Sequence, residues 1–96
     1  MQFIVIAYDY KNSLERRFAV REKHIELGDK LVAERKALYG VALLDRKGDM
    51  KGSVYILDFP TREGLDEYLK NEPYVIGKVW EKIEVIPCKV GPSFAK

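Results

Sequence analysis

Leu38-Tyr-Gly-Val-Ala-Leu-Leu44, then Asp45-Arg-Lys-Gly-Asp-Met-Lys-Gly52, then Ser53-Val-Tyr-Ile-Leu-Asp-Phe59, is the stretch on which the fold turns. Two short apolar runs flank a polar connection that carries Gly48 and Gly52, the pattern of a β-hairpin. Upstream of it, Gln2 to Tyr10 is rich in β-branched and aromatic residues and reads as a strand. It leads through Lys11-Asn12-Ser13 into a helix from about Ser13 to Arg35. Downstream, Thr61 caps a second helix with Leu65, Tyr68 and Leu69 at helical spacing, and Val79 to Val90 reads as the last strand. The order is β-α-β-β-α-β, a split βαβ arrangement of ferredoxin-like, α+β type, with helices on one face of an antiparallel sheet.

The first helix takes Asn12 or Ser13 as N-cap and places Glu15 near the positive end of its dipole. Leu14, Phe18, Val20, Ile25, Leu27, Leu31 and Val32 are expected inward, and Arg16, Glu22, Lys23, Glu26, Asp29 and Lys30 outward, with a break near Val20 allowed. Pro73 stops the second helix near Asn71 and fixes either a short linker or a new helical turn over Tyr74 to Gly77. Residues 91–96 are expected to form a flexible tail or an arm onto a partner subunit, and the rest a single domain. The first strand is apolar almost without alternation, which implies cover on both faces. One chain can cover only one face with its helices, so two subunits stacking their sheets into a dimeric α/β barrel is the natural solution.

Composition narrows the function classes. Hydrophobic residues make up 47% of 96, more than a small monomer readily hides, which also favours a homodimer. Seventeen basic and 15 acidic residues give a net charge of +2, and the lysines are scattered, so nucleic acid is not an expected partner. Cys88 is alone, so no internal disulfide forms and the cytoplasm is the default compartment. The run Phe3 to Tyr8 is too short for a signal core or a span, and neither a leader nor a membrane association is expected. No glycine-rich phosphate loop is present, and one His with one Cys cannot build the usual zinc sites; neither metal nor cofactor is expected.

Three groupings carry chemistry. His24, the only histidine, falls on the apolar stripe of the first helix, where its ring nitrogens need partners; Asp9 and Glu72 are the candidate acids, and a satisfied structural histidine is the competing reading. Arg17 and Arg21, spaced i, i+4, share a helix face with His24 and could hold an anion or phenolate; surface pairing with Glu22 or Glu26 is the bland alternative. Asn71-Glu-Pro-Tyr74 sets a carboxylate and a phenol on either side of a rigid proline, as an ordinary helix end also would.

Taken together, Arg17-xxx-Arg21-xx-His24, Leu43-Leu44-Asp45 before the glycine loop, Gly52-Ser53-xx-Ile56 and Glu72-Pro73-Tyr74-Val75 resemble the YciI-like, YCII-related family from Phe3 to about Pro87. The resemblance implies a ferredoxin-like domain paired as a dimeric α/β barrel, with a site centred on a histidine and an aspartate. It also implies acid-base elimination without metal or nucleotide, since a relative is a dehydrochlorinase on a chlorinated hydroxyhydroquinone. The family histidine falls on His24 and the family acid on Glu72, where this chain has Glu in place of Asp. One methylene moves a carboxylate by about 1.5 Å, and a misplacement of about 1 Å can cost on the order of a hundredfold in rate.

The leading expectation is therefore a small cofactor-independent lyase or isomerase acting on a phenolic or carbonyl compound. His24 is its general base, Glu72 or Asp9 orients the imidazole, and Arg17, Arg21 and Tyr74 or Ser53 bind the developing oxyanion. The alternative is a non-catalytic ligand-binding or interaction module using the same cleft.

Overall fold

A computed structural model describes residues 1–95. The elements are β1 (Gln2–Asp9), α1 (Leu14–Ala33), β2 (Ala37–Leu44), β3 (Met50–Asp58), α2 (Arg62–Asn71), α3 (Pro73–Ile76) and β4 (Trp80–Cys88). The four strands lie in the order β2-β3-β1-β4, every neighbouring pair antiparallel. This is the ferredoxin-like α+β arrangement, with α3 as a short helical turn behind Pro73.

Side chains alternate across the sheet, and the helices take one face. Phe3, Val5 and Ala7 of β1 pack with Leu57, Leu31, Leu65, Leu69 and Tyr74 into the core. The opposite face carries Ile4, Ile6, Val54 and Ile56, only partly buried, and Ile86, 44% exposed. The near-continuous apolarity of β1 thus reports two different covers: the helices on one side, and on the other only what the C-terminal tail reaches.

α1 is one unbroken helix, and the stripe it buries differs from the expected one. Ser13, Arg17 and Leu31 are buried, with Val20, His24 and Leu27 partly so. Phe18, Ile25 and Val32, expected inward, are 57%, 41% and 61% exposed. Residues 13, 17, 20, 24, 27 and 31 recur at steps of three and four and form one face, whereas each exposed apolar residue is rotated by about 100° from its neighbour on that face. Hydrophobicity alone misplaces the helix because the inward stripe carries a guanidinium and an imidazole. Ser13 precedes the first turn as expected, but its side chain makes no capping hydrogen bond.

The hairpin loop is shorter than its sequence implied. Asp45 accepts hydrogen bonds from the backbone N–H groups of Lys47 and Asp49, at 2.8 and 3.0 Å, and Gly48 takes φ +86°, so the turn closes over residues 45–49. Gly52 lies inside β3, opposite Leu43 and Tyr8. A Cβ there would come 2.6 Å from the Ala7 carbonyl oxygen, so β1 and β3 can approach only because the residue is glycine. Thr61 caps α2 by accepting from the Gly64 N–H at 3.0 Å, and Glu72 caps α3 through the Tyr74 N–H, with Pro73 in the first turn.

The tail forms a turn in which the Phe94 and Ala95 N–H groups bond the Gly91 carbonyl. It folds onto its own sheet, where the Tyr39 hydroxyl donates to the Phe94 carbonyl and Phe94 borders an apolar hollow with Ile4, Ile56 and Cys88. Lys96, included in the expected tail, lies outside the described residues. Among the described residues no helix is long and apolar enough to cross a membrane.

Gly52→Ala is expected to destabilise the protein by about 1–3 kcal/mol, because the added methyl meets main chain that cannot rotate away. Urea unfolding measures this, and an unchanged midpoint would refute it.

Candidate active site

α1 presents Arg17 and His24 to the sheet, two turns apart and about 10.5 Å along the axis, and each is met by groups from other elements. Arg17 is 2% exposed. Its Nη1 bonds both Asp9 carboxylate oxygens, at 3.0 and 2.7 Å, and its Nη2 donates to Ser53 Oγ at 2.9 Å. Asp9 is delivered at the end of β1, where a register shift against β4 occurs between Tyr8 and Asp9. Burial raises the Asp9 carboxyl above its ordinary value, and the Arg17 charge and hydrogen bonds oppose that rise.

His24 Nδ1 lies 2.7 Å from Glu72 Oε1. A carboxylate only accepts, so Nδ1 carries the proton and, in the neutral ring, Nε2 accepts from the Tyr55 hydroxyl 2.9 Å away. Glu72 is fully buried and has no slack. Its Oε1 also takes the Tyr74 N–H at 3.0 Å, and its Oε2 takes the Tyr68 hydroxyl at 2.8 Å. The Glu72 side chain thus reaches the imidazole with both carboxylate oxygens engaged. Of the two candidate acids, Glu72 touches His24 while Asp9 is committed to Arg17.

Tyr74 fills the gap between the two polar residues of α1. Its ring stacks on the imidazole, centroids 3.8 Å apart and planes 6° from parallel, and lies 4.8 Å from the Arg17 guanidinium. Trp80 meets both Tyr74 and His24 edge-on. Tyr74, expected as a hydroxyl donor to substrate, is 2% exposed and serves as the plate against which the histidine lies flat.

A cleft of about 220 Å³ opens beside this arrangement, between α1 and the hairpin, and is lined by Arg17, Arg21, His24, Ser53, Tyr55 and Tyr74 among others. Arg21 is exposed and makes no ion pair among the described residues, so it is the guanidinium available to an anion. A larger hollow of about 550 Å³ near the hairpin loop is lined by Lys11, Lys47, Lys51, Asp45 and Asp49, charges of both signs, and meets the polar network only at Asp9.

The sequence reading passed over Tyr55, Tyr68 and Trp80. Tyr55 had a signal: it lies two residues from Ser53 on β3 and therefore on the same face. Tyr68 stood among the apolar positions of α2, and nothing local announced its hydrogen bond to Glu72.

Burial raises the phenol pKa of Tyr55 to about 12, with hydrogen bonding from Ser53 opposing; burial also raises Tyr68 and Tyr74. An unfolded tyrosine ionises near 10. The unfolded chain therefore loses these protons first, and stability that is complete below pH 10 is lost as pH rises through 12. For Tyr55 the loss is expected to be roughly 2–3 kcal/mol at about 1.4 kcal/mol per pKa unit. Urea midpoints from pH 9 to 12, compared with Tyr55→Phe, check the sign and size.

Three comparisons place this architecture among known proteins. The pattern that defines the YCII-related domain matches residues 1–89. An uncharacterised protein of Haemophilus influenzae is 30% identical over 95 residues, covering 93% of this chain and 97% of its own. Among solved structures, 5-chloro-2-hydroxyhydroquinone dehydrochlorinase from Burkholderia phenoliruptrix AC1100, in complex with 2,5-dihydroxybenzoquinone, superposes with a TM-score of 0.85 at 22% identity over 97% of this chain and 98% of that one. An antibiotic biosynthesis monooxygenase superposes with a TM-score of 0.55 at 16% identity, covering 95% and 98%. At these identities the two structures speak for the fold alone, whereas the domain match spans almost the whole sequence. With the domain pattern running from the first strand to the end of the last, the chain belongs to the YCII-related family.

Proposed function

We propose that the protein is a cofactor-independent acid-base enzyme, a lyase or isomerase acting on a small phenolic or carbonyl compound, with His24 as general base. The observation that carries this reading is the 2.7 Å contact between His24 and the fully buried Glu72, beside a cleft that holds Arg21, which makes no ion pair among the described residues. A buried carboxylate fixes the imidazole tautomer and favours the imidazolium that forms when a proton is taken. Arg21 supplies charge for the phenolate or enolate left behind, and the pinned Arg17 adds its field without needing to move. The dehydrochlorinase of the same fold, bound to a hydroxyquinone, supports this substrate class. A ligand-binding module using the same cleft is the second reading, favoured by the several contacts through which His24 serves the core.

Chloride release from 5-chloro-2-hydroxyhydroquinone is the first assay. His24→Ala is expected to lose at least about a hundredfold in kcat while keeping its far-UV spectrum. If His24→Gln instead binds 2,5-dihydroxybenzoquinone as wild type does and no variant changes turnover, the binding module is correct.

The acting form in this proposal is a homodimer in the cytoplasm, joined through the sheet face left open by the helices. Ile4, Ile6, Val54, Ile56 and Ile86 make that face apolar across three strands, and the lone Cys88 requires no oxidising compartment. Sedimentation equilibrium is expected to give twice the 11.1 kDa chain mass. Ile86→Glu is expected to return the protein to monomer, and a wild-type monomer at high concentration would end the dimer proposal.

A further inference from the structure

The imidazole that would act as base has no free nitrogen. Nδ1 is held by Glu72, and Nε2, the atom that would meet a substrate, is capped by the Tyr55 hydroxyl at 2.9 Å. Tyr55 itself lines the cleft, together with Arg17, Arg21 and Ser53. The hairpin makes room for it: a Cβ on Gly40 would lie 2.8 Å from the Tyr55 ring, so β2 has no side chain where the ring sits. Ser53, already bonded to Arg17, lies two residues from Tyr55 on the same face of β3 and lines the same cleft. One polar chain runs from Asp9 through Arg17 to Ser53 and a second from Tyr55 through His24 to Glu72, and Tyr55 is the end of the second chain that lines the cleft.

We infer that Tyr55 is the catalytic residue that exchanges the proton with the substrate, and that His24 is the base behind it. This rests on the acid-base reading above. In the forward step the Tyr55 oxygen takes the proton of an acidic substrate O–H or C–H while the Tyr55 proton moves to His24 Nε2. The electron pair of the broken bond stays on the substrate, as a phenolate or enolate facing Arg21. The Nδ1 proton remains on its hydrogen bond to Glu72, so the step ends with neutral tyrosine and imidazolium. Run backwards, the same pair returns a proton to the product.

A phenol is a poor base by itself. The relay avoids free tyrosinate because the two protons move together, and the Arg17 charge lining the same cleft favours whatever negative charge gathers on the phenol oxygen. A purely structural Tyr55 would instead hold the ring of His24 in place, a task already shared by Glu72, Tyr74 and Trp80.

The test measures chloride release from 5-chloro-2-hydroxyhydroquinone by wild type, Tyr55→Phe and His24→Asn, with the ¹⁵N spectrum of the single histidine as a second readout. Tyr55→Phe is expected to lower kcat by about a hundredfold or more, with KM and the affinity for 2,5-dihydroxybenzoquinone nearly unchanged and the Nε2 resonance displaced. Wild-type kcat in mixed H2O and D2O needs no variant and is expected to depend on deuterium fraction along a curve, as two moving protons require. A linear dependence, or a Tyr55→Phe protein with near wild-type kcat, overturns the relay and leaves His24 as the direct base. A wild type that releases no chloride, or undiminished kcat in His24→Asn, overturns the acid-base reading and the relay with it.

Discussion

The constraint on which the structure depends is that α1 buries a guanidinium and an imidazole on the face it turns to the sheet. Removing a charge from water costs several kcal/mol unless a partner of good geometry replaces the lost hydration. Arg17 therefore requires Asp9 from the end of β1 and Ser53 from β3, and His24 requires Glu72 from the α2–α3 junction and Tyr55 from β3. These four partners fix where α1 sits more tightly than apolar contacts could, because hydrogen bonds are lost over a few tenths of an ångström and sideways slip alone breaks them. The helix rotation that leaves Phe18, Ile25 and Val32 in solvent follows from the same requirement.

The two arginines on neighbouring turns consequently do different work. Arg17 is spent on the fold: both terminal nitrogens are engaged, and its plane is fixed near Tyr74. Arg21, one turn further along, is exposed and free of ion pairs among the described residues, which leaves it able to meet an anion entering the cleft. A spacing of four residues looked like a paired clamp. Burial separates the pair into one arginine fixed within the fold and one left exposed at the cleft.

Glu72 is engaged at both of its carboxylate oxygens. Its carboxylate is held by three donors from separate elements: the His24 ring, the Tyr68 hydroxyl and the Tyr74 main chain. Pro73 places the residue at the helix start with its backbone extended, and the side chain then curls back to cap α3 while it touches the histidine. Capping of α3 and orientation of the imidazole are thus carried by the same oxygen, Oε1, so the geometry of α3 and that of the imidazole are coupled. The buried phenols belong to this arrangement too, since their raised pKa values keep Tyr55 and Tyr68 as proton donors to His24 and Glu72.

The sequence by itself determined the order of strands and helices, the hairpin, the Thr61 cap and the stop at Pro73, because each rests on local periodicity and turn chemistry. Together with the family likeness it also singled out Asp9, Arg17, Arg21, His24, Ser53, Glu72 and Tyr74. Tertiary structure alone decided which acid meets which base, that Arg17 is pinned while Arg21 is exposed, that Gly52 lies within a strand, and that Tyr55 and Tyr68 complete the network. The physical reason is distance along the chain: Arg17 and Ser53 are 36 residues apart, and His24 and Glu72 are 48 apart. A hydrophobic pattern records which faces turn inward but assigns a buried arginine or histidine to the wrong side. Only the packed sheet shows the partners that make burying them affordable in free energy.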